Sequence, residues 1–173
     1  MSRLNPPVSD QDYSLGIGTA PCTLVEYGDY QCPYCGQAYP IVKQVTRHFG
    51  ADLRFIFRNF PLAEMHPNAE HAAESAMFAG KHGKFWEMHD LLYENQRSLA
   101  DDDLFALAGS LRLDEDALRE ALASGTFQPA VKADFRGGVH SGVNGTPTFF
   151  INGQRHDAAF DLETLSSAIQ ARI

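Results

Sequence analysis

Cysteine is scarce in this chain, since only three of its 173 residues are cysteines. Three cysteines cannot build the disulfide framework of a small secreted domain, and they allow at most one bridge within the chain. A content of 44% hydrophobic residues is enough to form a core without such a framework. Any bridge that forms is therefore expected to take part in chemistry, rather than to hold the fold together.

Positive charge and long apolar segments are also lacking. Acidic residues outnumber basic ones by 22 to 14, so the formal net charge is −8, and no basic run is available to bind a phosphate backbone. No apolar stretch approaches the ~20 residues that span a bilayer. We therefore expect no nucleic acid partner and no membrane span.

The first residues, MSRLNPPVSDQDYSLG, lack the apolar segment of a signal peptide. We therefore expect a cytoplasmic protein, unless a leader has been removed.

Strand and helix patterns alternate in the first third of the chain. Continuous apolar runs at 23–27 and 53–57 are typical of strands covered on both faces, and the segment 38–50 between them has helical periodicity. A strand, a helix and a strand within ~35 residues predict a βαβ unit with a right-handed crossover.

The sequence then changes character twice. Residues 61–141 read as a string of helices, and two of them, at 101–109 and 114–125, begin with acidic residues and end near glycine. After them an apolar run at 148–151, the hairpin signal Asn152-Gly153 and a final amphipathic segment predict two strands and a helix. We therefore predict an α/β domain, βαβ…ββα, from residues 1–60 and 142–173, interrupted by a helical insert domain at 61–141.

Cys32 and Cys35 form a CPYC motif just before the predicted helix. If Cys32 caps this helix, Pro33 takes the first helical position, where its missing N–H costs nothing. The unpaired N–H groups of the first turn then favour a Cys32 thiolate, which can lower its pKa from ~8.5 to roughly 3.5–7.5. Cys35, one turn further in and more buried, is placed to attack a mixed disulfide at Cys32, while Tyr34 between them is exposed.

Two other interpretations of the cysteine pair compete with a redox role. A zinc site needs two more ligands at usual spacings, but no second CxxC is present and the seven histidines are scattered. The pair could also be two inert buried thiols, as we expect for the separate Cys22. The redox interpretation is preferred, with neither a metal nor a cofactor.

Glu26 lies in the middle of the first apolar run, six residues before Cys32. A central parallel strand has no face in water, so this carboxyl group is expected to be buried, with a raised pKa. Near Cys35, it could accept and return the proton of the resolving thiol. The alternative is a strand register that leaves Glu26 facing water.

Pro147 opens the apolar run at 148–151, and X–Pro bonds are where cis peptides occur. A cis Pro147 would aim the backbone of Thr146 at the neighbouring loop and offer an edge to an extended polypeptide. A trans proline that opens a strand is the alternative, and it is the more frequent state.

Together these motifs resemble the thioredoxin superfamily and, within it, the DsbA-like disulfide oxidoreductases. The resemblance rests on VEYGDYQCPYC, on Pro40 within the following helix, on the helical block at 61–141 and on GTPTFFING. It extends from about Pro21 to the end of the chain. It implies a thioredoxin fold with a mixed sheet and an all-helical insertion. It also assigns roles to five residues: exposed nucleophile Cys32, resolving thiol Cys35, buried acid Glu26, and cis-proline Pro147 preceded by Thr146.

The resemblance implies a thiol–disulfide oxidoreductase that acts on cysteine-containing proteins or peptides, with glutathione or a redox partner protein as further candidates. Strong oxidants of the family carry a histidine in the dipeptide that is Pro33-Tyr34 here. A cation beside Cys32 is then missing, so we expect a less extreme thiolate. The direction of electron flow stays open.

Two other functions are alternatives. One is glutathione-linked chemistry of the glutaredoxin or kappa-transferase type, although kappa-type relatives use a serine in place of CxxC. The other is a peptide-binding holdase module whose helical insert presents an apolar groove.

Overall fold

The computed structural model describes residues 2–173 and contains, in that range, a five-stranded mixed sheet and seven α-helices. The strands are β1 (Ser14–Leu15), β2 (Cys22–Gly28), β3 (Leu53–Asn59), β4 (Thr148–Ile151) and β5 (Gln154–His156). The helices are α1 (Pro33–Phe49), α2 (Ala69–Lys81), α3 (Phe85–Glu94), α4 (Asp101–Ser110), α5 (Glu115–Ser124), α6 (Gln128–His140) and α7 (Leu162–Gln170).

The strand order in the sheet is β1-β3-β2-β4-β5, so β2 is central. β2 and β3 are neighbours joined through α1, as the predicted βαβ unit requires. In each of these two strands all residues but the second are buried, which explains why both read as continuous apolar runs. The α/β class and the predicted thioredoxin fold are confirmed.

The turn between β4 and β5 is the predicted Asn152-Gly153 hairpin. Asn152 has φ +46° and Gly153 has φ +76°. Positive φ at both central residues gives the turn whose twist matches that of the flanking strands, and Asn-Gly is its preferred sequence. The β4–β5 pair is antiparallel.

The chain divides into two compact units. One contains the sheet with α1 and α7, and comprises the residues up to Gly28, Pro33–Arg58 and Arg136–Ile173. The other comprises Asn59–Phe135 together with the short segment Asp29–Cys32, which we call the active-site loop. The predicted boundaries at 60/61 and 141/142 stay a prediction, and they did not anticipate that this loop groups with the helices.

A buried arginine holds the irregular N-terminal segment to the sheet. Arg58 of β3 is 4% exposed and makes a bidentate contact with Asp12, with N–O distances of 2.8 and 3.0 Å. It also donates to the carbonyl oxygens of Pro6 and Pro7 and to the hydroxyl of Tyr27 in β2. Burial alone would lower the pKa of Arg58, but the hydrogen bonds to Asp12 and Tyr27 raise it above its ordinary value.

Candidate active site

The N-terminus of α1 carries the CPYC motif. The helix begins at Pro33, directly after Cys32, and its first turn contains no acidic residue. Proline suits this position because the first helical N–H groups have no partner within the helix. The remaining unpaired N–H groups make this end of α1 favourable for a negative charge, such as that of a thiolate.

The two cysteines differ in exposure less than the resemblance implied. Cys35 is fully buried, whereas Cys32 keeps 4% of its surface exposed, and both are thiols in this structure. The expected exposed nucleophile is therefore corrected to a thiol that is largely covered. The reason is that the active-site loop is itself buried, since Asp29 and Tyr30 have exposures of 1% and 0%. Tyr34 is the exposed member of the motif, at 63%.

Asp29 organises the active-site loop, although no sequence motif singled it out. Its Oδ1 accepts the backbone N–H of Gln31 at 2.8 Å. Its Oδ2 accepts the backbone N–H of Leu62 at 2.9 Å and lies 2.8 Å from Nδ1 of His66. The backbone N–H of Cys32 also donates to the carbonyl of Asp29, at 3.1 Å. A buried carboxylate with these partners fixes the backbone that leads into Cys32.

Two further side chains of the loop have partners in the helical block. The hydroxyl of Tyr30 lies 3.0 Å from Nδ1 of the buried His89. Gln31 Oε1 accepts the backbone N–H of Asn68 at 2.8 Å, at the start of α2. These partners are 37 to 59 residues away in the chain, so local sequence patterns carry no signal for them.

Glu26 occupies the buried position that its strand pattern indicated. It lies in the central strand β2, is 2% exposed, and is opposite Phe149 of β4. The alternative register, in which the carboxylate faces water, is therefore wrong. A role for Glu26 in moving the proton of Cys35 stays a prediction.

The Thr146–Pro147 peptide bond is cis. It immediately precedes β4, which pairs antiparallel with β2 and matches Tyr27 with Thr148. That register brings Pro147 level with Gly28, the last residue before the active-site loop. The hydroxyl of Thr148 donates to the carbonyl of Gly145 at 2.7 Å and closes the turn around the proline. That Thr146 and Pro147 face the cysteines stays a prediction.

Cys22 is fully buried at the start of β2. Burial raises the pKa of its thiol, and Arg172 opposes that effect. A raised pKa keeps the sulfur protonated and unreactive. Cys22 thus has the environment of the small buried hydrophobe that the sequence predicted.

Among residues 2–173, no three or more His, Cys, Asp or Glu side chains are grouped so that they could hold a metal ion. Over the same residues, no helix has both the length and the apolar character needed to cross a bilayer.

Known proteins of related sequence include membrane transport proteins. The chain is 46% identical over 164 residues to the protein named Na(+)/H(+) antiporter NhaA 1 of Salinispora arenicola. The match covers 95% of this chain but 25% of that relative. The chain therefore spans about a quarter of the length of the curated relatives that it matches.

Solved structures of other proteins have a similar fold. BdbD from Bacillus subtilis, in its oxidised form, has a TM-score of 0.89 and 25% identity, over 99% of this chain and 97% of that chain. The thiol–disulfide exchange protein alpha-DsbA2 from Wolbachia pipientis has a TM-score of 0.79 and 19% identity, over 94% and 87% of the two chains.

The family model described as thioredoxin matches residues 9–171, which is most of the chain. The solved structures of similar fold include MdbA from Corynebacterium diphtheriae, described as a thiol–disulfide oxidoreductase, and the predicted likeness to DsbA-like proteins and the predicted thioredoxin fold are confirmed. The chain therefore belongs to the thioredoxin family and has the fold of its DsbA-like members.

Proposed function

We propose that this chain exchanges disulfides with cysteines of other proteins, with Cys32 as the nucleophile and Cys35 as the resolving thiol. The observation that carries the proposal is the position of Cys32 directly before the first turn of α1, a helix end without acidic residues. Such an end favours the thiolate, which is the attacking form in disulfide exchange.

The reaction starts from the dithiol. The Cys32 thiolate attacks one sulfur of a substrate disulfide, so a new S–S bond to Cys32 forms and a substrate thiolate leaves. Cys35 then loses its proton and attacks the Cys32 sulfur, which releases the second substrate thiol and leaves a Cys32–Cys35 disulfide. Two electrons pass from the enzyme to the substrate, and the reverse sequence oxidises a substrate dithiol.

Glu26 is proposed to receive the Cys35 proton in the resolving step. Its 2% exposure supports this role, because a carboxyl group kept from water favours its protonated form. The buried proton then stays available for the reverse reaction. The exposed ring of Tyr34 is proposed to contact the substrate beside its cysteine.

We also propose that the protein partners include membrane transport proteins. This rests on the antiporter relatives, in which a segment similar to this chain occupies about a quarter of the length. A thiol-exchange domain in or beside such a transporter would act on the cysteines of that protein. Partners trapped on the Cys35→Ser variant and identified by mass spectrometry test this, and the absence of any ion transporter among them would contradict it.

The central experiment traps the mixed disulfide. Cys35→Ser removes the resolving thiol, so the covalent complex between Cys32 and a substrate protein should persist on non-reducing gels and disappear with dithiothreitol. Cys32→Ser should lose exchange activity by at least about a thousandfold, since the attacking sulfur is absent. Cys22→Ser is the matched control, because Cys22 is buried away from the motif and its loss should leave the rates unchanged.

The same variants separate the alternatives. A Cys35→Ser variant that retains full turnover on glutathione mixed disulfides, and traps no protein, would favour glutathione-linked chemistry. Unaltered protection of unfolded proteins by the Cys32→Ser, Cys35→Ser double variant, in the absence of any exchange activity in the parent, would favour a holdase.

A further inference from the structure

Gln96 makes two hydrogen bonds to the active-site loop. Its Nε2 donates to the carbonyl oxygen of Tyr30 at 2.9 Å and to that of Cys32 at 2.7 Å. The residue lies in the turn after α3, where Asn95 donates its N–H to the Leu91 carbonyl and Ser98 donates to the Asn95 carbonyl. A fixed turn thus holds a side-chain amide against the backbone on either side of Gln31.

The chemistry of the contact leaves one orientation for the amide. The NH₂ group of glutamine has two donors, and each is used by one of the two carbonyl oxygens. The flipped amide would place its oxygen against both carbonyl oxygens and replace two attractions by two repulsions. Glutamine is therefore specifically suited to this place, in contrast to glutamate, which offers only acceptors when ionised.

The amide completes the attachment of the active-site loop to the helical block. Asp29 and the side chains of Tyr30 and Gln31 are already bonded to residues of that block. Gln96 adds hydrogen bonds to the main chain of Tyr30 and Cys32. Each of the four residues Asp29–Cys32 therefore has a hydrogen-bonded partner in the helical block. The contact to Cys32 acts on the peptide group that leads into Pro33 and α1.

We propose that Gln96 is a positioning residue for the Cys32 thiolate, and that it sets how strongly the pair Cys32–Cys35 oxidises its partners. The inference rests on the proposed disulfide exchange. Gln96 stabilises the thiolate in two ways. It fixes the Cys32 peptide group, so that the sulfur stays by the unpaired N–H groups of the first helical turn. It also draws electron density from two carbonyl oxygens that would otherwise repel a negative sulfur.

The direction of the effect follows from the thiolate. Loss of the two donors destabilises the thiolate and therefore raises the pKa of Cys32. A less stable reduced form makes the disulfide harder to reduce, so the pair becomes a weaker oxidant. The thiolate fraction and the equilibrium with glutathione should shift by about three- to tenfold, which is about 0.7–1.4 kcal/mol for the two lost hydrogen bonds together, at 1.4 kcal/mol per tenfold.

The test compares Gln96→Met and Gln96→Glu with the parent. Methionine has a similar length and no donor, while an ionised glutamate adds repulsion to the carbonyl oxygens. The pH dependence of Cys32 alkylation and the redox equilibrium with glutathione should shift by about three- to tenfold in Gln96→Met, and further in Gln96→Glu. Thermal unfolding is measured beside them, so that a redox shift in a folded variant is distinguished from unfolding.

Asn95→Ala is the matched control. Asn95 is the neighbouring residue, and its side-chain amide donates 2.8 Å to the Leu91 carbonyl in the same turn, so its loss removes a similar bond without touching the loop. It should leave both redox measurements unchanged. Folded Gln96 variants with the parent's Cys32 pKa and redox equilibrium would overturn this inference alone, whereas a parent whose Cys32 titrates as an ordinary thiol would overturn the proposed function.

Discussion

Glu74 is a buried carboxyl group that the proposed chemistry does not use. It lies on α2, is 1% exposed, and within residues 2–173 neither of its oxygens accepts a hydrogen bond. Burial raises its pKa; Glu70 and Asp101 act in the same direction, whereas His71 and Lys132 oppose it. An acid whose pKa is raised by folding is a source of instability once the pH is high enough to ionise it in the unfolded chain.

Replacing Glu74 by methionine is expected to stabilise the protein at neutral pH, by about 1–3 kcal/mol, because a polar group without a partner leaves the core. The native state binds the proton more tightly than the unfolded state, so the penalty grows as the pH rises above 4.5, the ordinary value for this carboxyl group. The advantage of Glu74→Met should therefore shrink below pH 4.5. Urea unfolding of parent and variant across this pH range measures it.

Glu70→Met is the control, since Glu70 is exposed in the first turn of the same helix. It should give no such gain. A neutral-pH stability of Glu74→Met equal to or below that of the parent would contradict the account of Glu74.

Single residues differ in how far the sequence could predict them. The burial of Glu26 followed from its two apolar neighbours, because a strand covered on both faces buries every side chain. The importance of Asp29 did not follow, since its partners Leu62 and His66 are 33 and 37 residues further along the chain. The prediction that Cys32 is exposed was wrong for the same reason. The packing of the active-site loop, which covers Cys32, depends on these distant contacts.

Helix ends are the features of the elements that local sequence determines best. α5 begins after Asp114, whose Oδ1 accepts the N–H of Ala117 at 3.1 Å, and it ends at Gly125 with φ +66°. An aspartate cap satisfies one unpaired N–H at the start, and a glycine adopts the left-handed conformation at the end without steric cost. The helix lies where its acidic start and its glycine indicated.

Asp114→Ala should destabilise the protein by about 1 kcal/mol, the usual cost of losing an N-cap acceptor. The midpoint of urea unfolding measures the change. Asp116→Ala is the matched comparison: it also removes an acidic residue from the start of α5, but its side chain is 95% exposed and 3.8 Å from Arg119, so little stability should be lost. Equal losses in the two variants would show that charge, and not the cap, stabilises this end.

The start of α1 is the element boundary on which the proposed function depends, because Cys32 lies directly before it. Helical periodicity was evident only from residue 38, whereas the helix begins at Pro33. The first turn contains Pro33 and Tyr34, the central residues of the CPYC motif, and it has few apolar residues, so helical periodicity is weak there. The preference of proline for the first helical position indicated the boundary instead.

At the scale of the whole molecule, the order βαβ, helices, ββα was predictable because each element carries its own local pattern. The assignment of the active-site loop to the helical unit was not predictable. Four adjacent residues leave the strand β2 and find their partners among residues 62–96, and no periodicity records such contacts. The backbone that carries Cys32 is therefore bonded to residues of the helical block that lie outside the motif itself.

The most direct measurement is the alkylation of the reduced parent protein by iodoacetamide as a function of pH, with each cysteine followed by mass spectrometry. The account predicts that Cys32 reacts first and titrates with an apparent pKa below the ~8.5 of an ordinary cysteine, while the buried Cys35 and Cys22 react only when the protein unfolds. A Cys32 that titrates at or above that value, or that reacts no faster than Cys22, would contradict it.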